Sequence, residues 1–138
     1  MMLFKPIPTD RKSILTTAPM WLRFLPDIAK RSHETLEEIM GYILRHDVQI
    51  GVVWDNEKKE ATALIGMQFK KQGDEFVGEL RWVTGRGAKD WQHLIKEVEK
   101  YFRHLGCHIS RPLCRPGWAP MLKQHGYRTT HYVMERRL

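Results

Sequence analysis

The segment Leu80-Arg81-Trp82-Val83-Thr84-Gly85-Arg86-Gly87-Ala88-Lys89 closes a β-rich run with two glycines, and a long amphipathic pattern begins at Trp91. A Gly-flanked turn where a strand hands over to a helix is a phosphate-binding device. The first N–H groups of a helix have no partner inside it and point, with the positive end of the helix dipole, at an anion placed there. The residues after Gly87 complicate that chemistry. Lys89 and Trp91 are large where small residues would let a phosphate approach the backbone, and Asp90 adds a carboxylate at the helix start. Asp90 would cap the helix without a ligand and oppose a bound pyrophosphate, although Arg86 and Lys89 would offset it. Two readings stand: a phosphate cradle, or a self-capped helix with Trp91 in the core.

Two other sets of residues invite chemistry. His104, Cys107, His108, Cys114 and His125 are zinc-type ligands, but Cys107 and His108 are adjacent and would point to opposite faces of a strand, and the paired spacing of structural zinc sites is missing. No metal site is expected. Glu79 lies within Phe76-Val77-Gly78-Glu79-Leu80-Arg81-Trp82, where alternation sets Glu79, Arg81 and Val83 on one face and Leu80 with Trp82 on the other. One reading of Glu79 and Arg81 is an ion pair on a solvated face.

The elements that carry these residues can be read from periodicity. Leu3 to Ile7 suits a first strand, and Thr9-Asp10 a helix cap. Pro19 and Pro26 predict two short helical pieces rather than one long helix. After Ser32, Leu36, Ile39, Met40, Ile43 and Leu44 share one helical face, and Glu34, Glu37 and Glu38 suit its N-terminal turn. Val48–Trp54, Ala61–Phe69 and Phe76–Val83 predict an antiparallel meander. The strongest helical pattern follows, in Trp91, Leu94, Ile95, Val98, Tyr101, Phe102 and Leu105, with Gly106 as its cap. Cys107–Ser110 would then return parallel to the preceding strand. A short helix from Trp118 to Gln124 and a last strand from Tyr127 to Glu135 complete the order. This is α+β with a mixed sheet.

The 138 residues, 42% hydrophobic and 28% charged, fit one globular domain spanning 1–138. No tract approaches the length of a membrane span and the N-terminus lacks the features of a signal peptide, so cytoplasmic synthesis without membrane association is expected. Cys107 and Cys114, with six residues between them, read as free thiols. The net charge of +7 admits nucleic acid or an acidic partner, but the basic residues are dispersed and no nucleic-acid motif accompanies them.

The element order and the turn resemble the GCN5-related N-acetyltransferase (GNAT) superfamily from about Thr35 onward. Its motif, commonly Arg-Gly-x-Gly-x-Gly, leads from the fourth strand into the long helix and binds the pyrophosphate of acetyl-CoA through backbone N–H groups. With Arg86-Gly87 on the family's Arg-Gly, Lys89 falls on the second glycine and Trp91 on the final small residue. The resemblance implies a single GNAT-like domain with a twisted mixed sheet of about six strands, splayed between the fourth and fifth. It implies acetyl-CoA as cofactor, with Arg86, Gly87, Ala88 and Lys89 at the pyrophosphate and strand amides around Trp82 and Val83 at the pantetheine. It also implies Glu79 as the base that takes the amine proton. The family's thiolate-protonating Tyr falls on Leu122, four residues before Gly126-Tyr127; Tyr127 and His125 are near enough in sequence to substitute for it, the other reading of Tyr127 being a core residue with its hydroxyl at the rim. Arg115-Pro116-Gly117-Trp118 resembles a segment of small GNAT-like proteins of tailed phages and prophages, in which the phosphate turn is commonly degraded. That resemblance implies a phage-encoded protein acting by protein contact, in the host cytoplasm or the virion. The alternative is an acetyl-CoA-dependent N-acetyltransferase acting on an amine.

Overall fold

A computed structural model describes residues 1–85, 92–114 and 116–138. In chain order the elements are strand β1 (Met2–Pro6), helices α1 (Arg11–Trp21), α2 (Leu25–Ser32) and α3 (Leu36–Leu44), and strands β2 (Gln49–Asp55), β3 (Glu60–Gln72) and β4 (Glu75–Gly85). Helix α4 (Ile95–His104), strand β5 (Ile109–Pro112) and helix α5 (Ala119–Gln124) follow. The strands form one sheet in the order β1-β2-β3-β4-β5, antiparallel except for the parallel pair β4 and β5.

The sheet separates two apolar layers. On one face Ile50, Val52, Ala61, Leu64 and Trp82 pack against Ile14, Trp21, Ile28, Ile39 and Ile43 of α1 to α3. On the other, Val53, Ala63, Ile65 and Met67 pack against Val98 and Phe102 of α4 and the preceding Leu94. Alternate residues of a strand point to opposite faces, which is how adjacent Val52 and Val53 serve different layers. Helix α3 starts on a capping box: Thr35 accepts from the Glu38 N–H at 3.1 Å, while the Glu38 carboxylate accepts from the Thr35 N–H at 3.1 Å.

Four sequence expectations need correction. The helical break falls after Trp21 rather than at Pro19, because a proline this near the end of α1 removes an N–H from only its last turns. Pro26 sits in the first turn of α2, where its missing N–H costs nothing. The fifth strand starts at Ile109 rather than Cys107. Gly106, at φ 88°, reverses the chain, and the Cys107 N–H is used on Phe102 O at 2.9 Å. Among the described residues the sheet has five strands rather than about six, since residues 127–138 pair there with no strand and from Arg128 onward are exposed. Finally, β4 does not alternate cleanly. Gly66 faces Trp82 and Met67 faces Leu80, so Arg81 is the extra residue of a bulge.

Candidate functional site

The bulge decides what β4 presents. Before it, Gly78 faces α4: a Cβ there would stand 2.7 Å from the Phe102 ring. Leu80 lies in the α4 layer, Trp82 in the opposite layer and Val83 again in the α4 layer. Arg81 also turns to the α1 to α3 side, its guanidinium 4.6 Å from the Tyr42 ring centroid and 3.2 Å from the Glu34 carboxylate. Glu79 and Arg81 are therefore not each other's ion-pair partners, and neither lies on an open solvated face.

Glu79 is 3% exposed and held by two cations from neighbouring strands. Lys70 Nζ of β3 is 2.8 Å from its Oε1, though not aligned for a hydrogen bond, and Arg111 of β5 is 3.6 Å from its Oε2. The register explains the cluster, because Glu79 is paired with Gln68 on β3 and with Arg111 on β5. A buried carboxylate stays charged only with such partners.

Past this cluster the two parallel strands part. Their ladder runs only from Val77 to Leu80, closing with the Leu113 N–H on Leu80 O at 2.9 Å. Pro112 has no N–H to extend it. Among the described residues, Arg81 to Gly85 have no strand neighbour on that side. A cleft of about 1400 Å³ opens there, with Leu80, Trp82, Val83, Leu94, Ser110 and Tyr127 in its lining. Gly85 ends β4 at φ 134°, where a Cβ would run into the Thr62 carbonyl and Ala63, so glycine is required before the turn. Arg86, Gly87, Ala88, Lys89, Asp90, Trp91 and Arg115 lie outside the described residues.

Tyr127 lies across the sheet from Glu79. Its hydroxyl donates to Glu99 of α4 at 2.8 Å and accepts from Ser110 of β5 at 2.8 Å. Ser110 and Arg111 are successive residues of β5, so Tyr127 and Glu79 flank the parting strands from opposite faces. Burial, with Glu99 adding to it, pushes the Tyr127 pKa above its ordinary value near 10. Leu122 is buried, with its carbonyl accepting the Tyr127 N–H at 3.1 Å. Trp118 packs against the α4 layer. Trp82 Nε1 is buried without a hydrogen-bond partner among the described residues.

Of the residues singled out from sequence, the structure brings Trp82, Val83 and Tyr127 into the lining of one cleft, while Glu79 is buried on β4 just before the strands part. Lys70, Arg111, Ser110 and Glu99 complete their surroundings and escaped the sequence reading, since each meets its partner through sheet register or helix packing, and Glu34, read as a helix-start charge, pairs with Arg81. Among the described residues, no three His, Cys, Asp or Glu side chains come together as metal ligands.

No protein-family model and no curated protein matches the sequence. Solved structures do match. A Trypanosoma brucei acetyltransferase superposes with a TM-score of 0.68 over 100% of both chains at 14% identity. A GNAT family acetyltransferase of Staphylococcus aureus gives 0.65 at 11% identity, covering 99% of this chain and 98% of that one. The fold is that of the GNAT acetyltransferases. A predicted acetyltransferase of Clostridium acetobutylicum, solved with acetyl-CoA, shares this GNAT fold at a TM-score of 0.63 and 12% identity, covering 99% and 96%.

Proposed function

We propose that this chain binds acetyl-CoA along the parted end of β4 and transfers the acetyl group to an amine. The observation that carries the reading is the separation of β4 from β5 beside a buried carboxylate. Strand amides of Arg81 to Gly85 without a strand neighbour suit the amide groups of a pantetheine arm, and Gly85 leads into Arg86 to Lys89, the residues that would hold the pyrophosphate. The cleft therefore fits the group. Bound there, acetyl-CoA supplies a thioester whose C–S bond breaks as the C–N bond forms. Glu79 takes the proton that the amine loses, and Lys70 and Arg111 orient its carboxylate. In this reading Tyr127 protonates the departing sulfur. Its raised pKa and its bond to Glu99 make it a weak acid for that purpose, so solvent can share the task.

A second reading is favoured by Leu122, buried where the family carries its proton-donating tyrosine. It is a phage protein that keeps the fold as a scaffold and acts by contact with another protein, in a host cytoplasm or a virion.

Calorimetric titration with acetyl-CoA at low and moderate salt separates the two. Micromolar binding that persists at moderate salt and weakens in Arg86→Ala is expected of the enzyme. Absence of binding in the parent chain, with binding gained in Trp91→Gly, would sink it and leave the scaffold.

A further inference from the structure

We infer that the acceptor is an amine that also carries a carboxylate or phosphate, and that Arg31 of α2 receives this anion. The inference rests on the acetyl-transfer reading above and adds to it the chemical class of the second substrate. Arg31, Arg81, Arg103, Arg111, Lys123 and Arg128 line the cleft. Among the described lining residues Glu99 is the one carboxylate, and it already accepts from the Tyr127 hydroxyl. Such a wall repels a polycation and draws an anion. The same field favours the reaction. An ammonium entering it gives up its proton more readily, and only the neutral amine attacks the thioester.

Arg31 is the cation placed for the acceptor. Arg81 lies over Tyr42 and pairs with Glu34, and Arg111 pairs with Glu79. Arg103, Lys123 and Arg128 come from α4, α5 and the segment after Tyr127, and acetyl-CoA, with its pyrophosphate at the turn into α4, takes that side of the sheet. The α2 side is left for the amine. There Thr84, 4% exposed on β4, donates to Asp27 Oδ2, while Glu34 meets Arg81. The chain from Asp27 to Glu34 thus runs back along the parted length of β4, and Arg31 falls between these contacts, with Ile28 and Ser32 beside it in the lining. Asp27 Oδ1 lies 3.3 Å from Arg31 Nε. Asp27 therefore holds the guanidinium by its Nε side, and among the described residues the two terminal nitrogens have no hydrogen-bond partner. Their N–H groups form the fork that grips a carboxylate or phosphate through two parallel bonds.

Acetyl transfer by the full chain tests this with matched acceptors: β-alanine against its amide, phosphoethanolamine against ethanolamine, and spermidine as a polycation. Calorimetry with acetyl-CoA runs alongside. The expected result is turnover of an anionic acceptor with kcat/KM about tenfold or more above that of the partner lacking the anion, and the two pairs tell carboxylate from phosphate. Arg31→Gln should raise KM for the anionic acceptor roughly ten- to a hundredfold, leaving its partner and acetyl-CoA affinity unchanged. Arg31→Lys, which keeps the charge without the fork, should recover part of the loss, and it carries the comparison should Arg31→Gln fail to fold. Preference for spermidine, equal rates within both pairs, or an Arg31→Gln effect equal for both members of a pair overturns the inference. So does a chain that binds acetyl-CoA and acetylates none of these amines. Absence of acetyl-CoA binding removes the transfer reading itself, and this inference with it.

Discussion

Glu79 and Tyr127 show how far a side chain's meaning depends on partners distant in sequence. Alternation in the 76–83 segment suggested that Glu79 and Arg81 share a face, but Arg81 reaches Glu34 and Glu79 is held by Lys70 and Arg111. Nothing local marks these pairings. Tyr127 is legible as an aromatic residue opening the final segment, whereas its bonds to Ser110 and Glu99 arise only when β5 and α4 are side by side. Tyr127→Phe should lower stability by about 1 kcal/mol through these lost bonds. It should also change the alkaline limb. A tyrosine whose folded pKa is raised contributes stability that is fully present below its unfolded value near 10 and is lost as pH rises through the folded value. Denaturant melts of the parent should therefore weaken above about pH 10, and the Phe variant should show a flatter limb there. An identical alkaline limb in both proteins would remove Tyr127 as its source.

At the scale of elements, period 3.6 and period 2 were enough to find α3, α4 and the β2 to β4 meander, because each buries a single face against one layer. The bulge at Arg81 was missed. Its signal was Gly66, a glycine inside a strand, whose missing side chain makes room for the Trp82 indole; a Cβ there would stand 2.5 Å from Trp82. Gly78 has the corresponding role on the other face. Gly78→Ala should force the Phe102 ring aside and destabilise by roughly 1–3 kcal/mol, the range for overpacking a filled core. Urea titration reads that loss, and a neutral result would mean that α4 can shift outward without penalty. Alternation across Tyr127 to Glu135 stated only that a strand could form there, since periodicity carries no information about which edge receives it.

For the whole molecule, the parallel pair is the weakest seam of the sheet. Strand β5 is joined to β4 over four residues, whereas β3 and β4 pair over ten positions. Amide exchange should be slowest in β2 and β3 and much faster at Arg81 to Gly85, which among the described residues have no strand neighbour on one side. Addition of acetyl-CoA should slow those amides selectively if they receive the pantetheine arm. Equal protection with and without it would place any bound cofactor elsewhere.

The division of the apolar residues by the sheet carries a cost during synthesis. Helices α1 to α3 precede β2 to β4 in the chain, so one face of the growing sheet is covered as soon as it forms, while Val53, Ala63, Ile65 and Met67 wait for α4. A nascent chain stalled just after Gly85 would expose that greasy face to water. Such stalled chains should bind hydrophobic dye or a holdase chaperone strongly, and chains lengthened past Gly106 should release it.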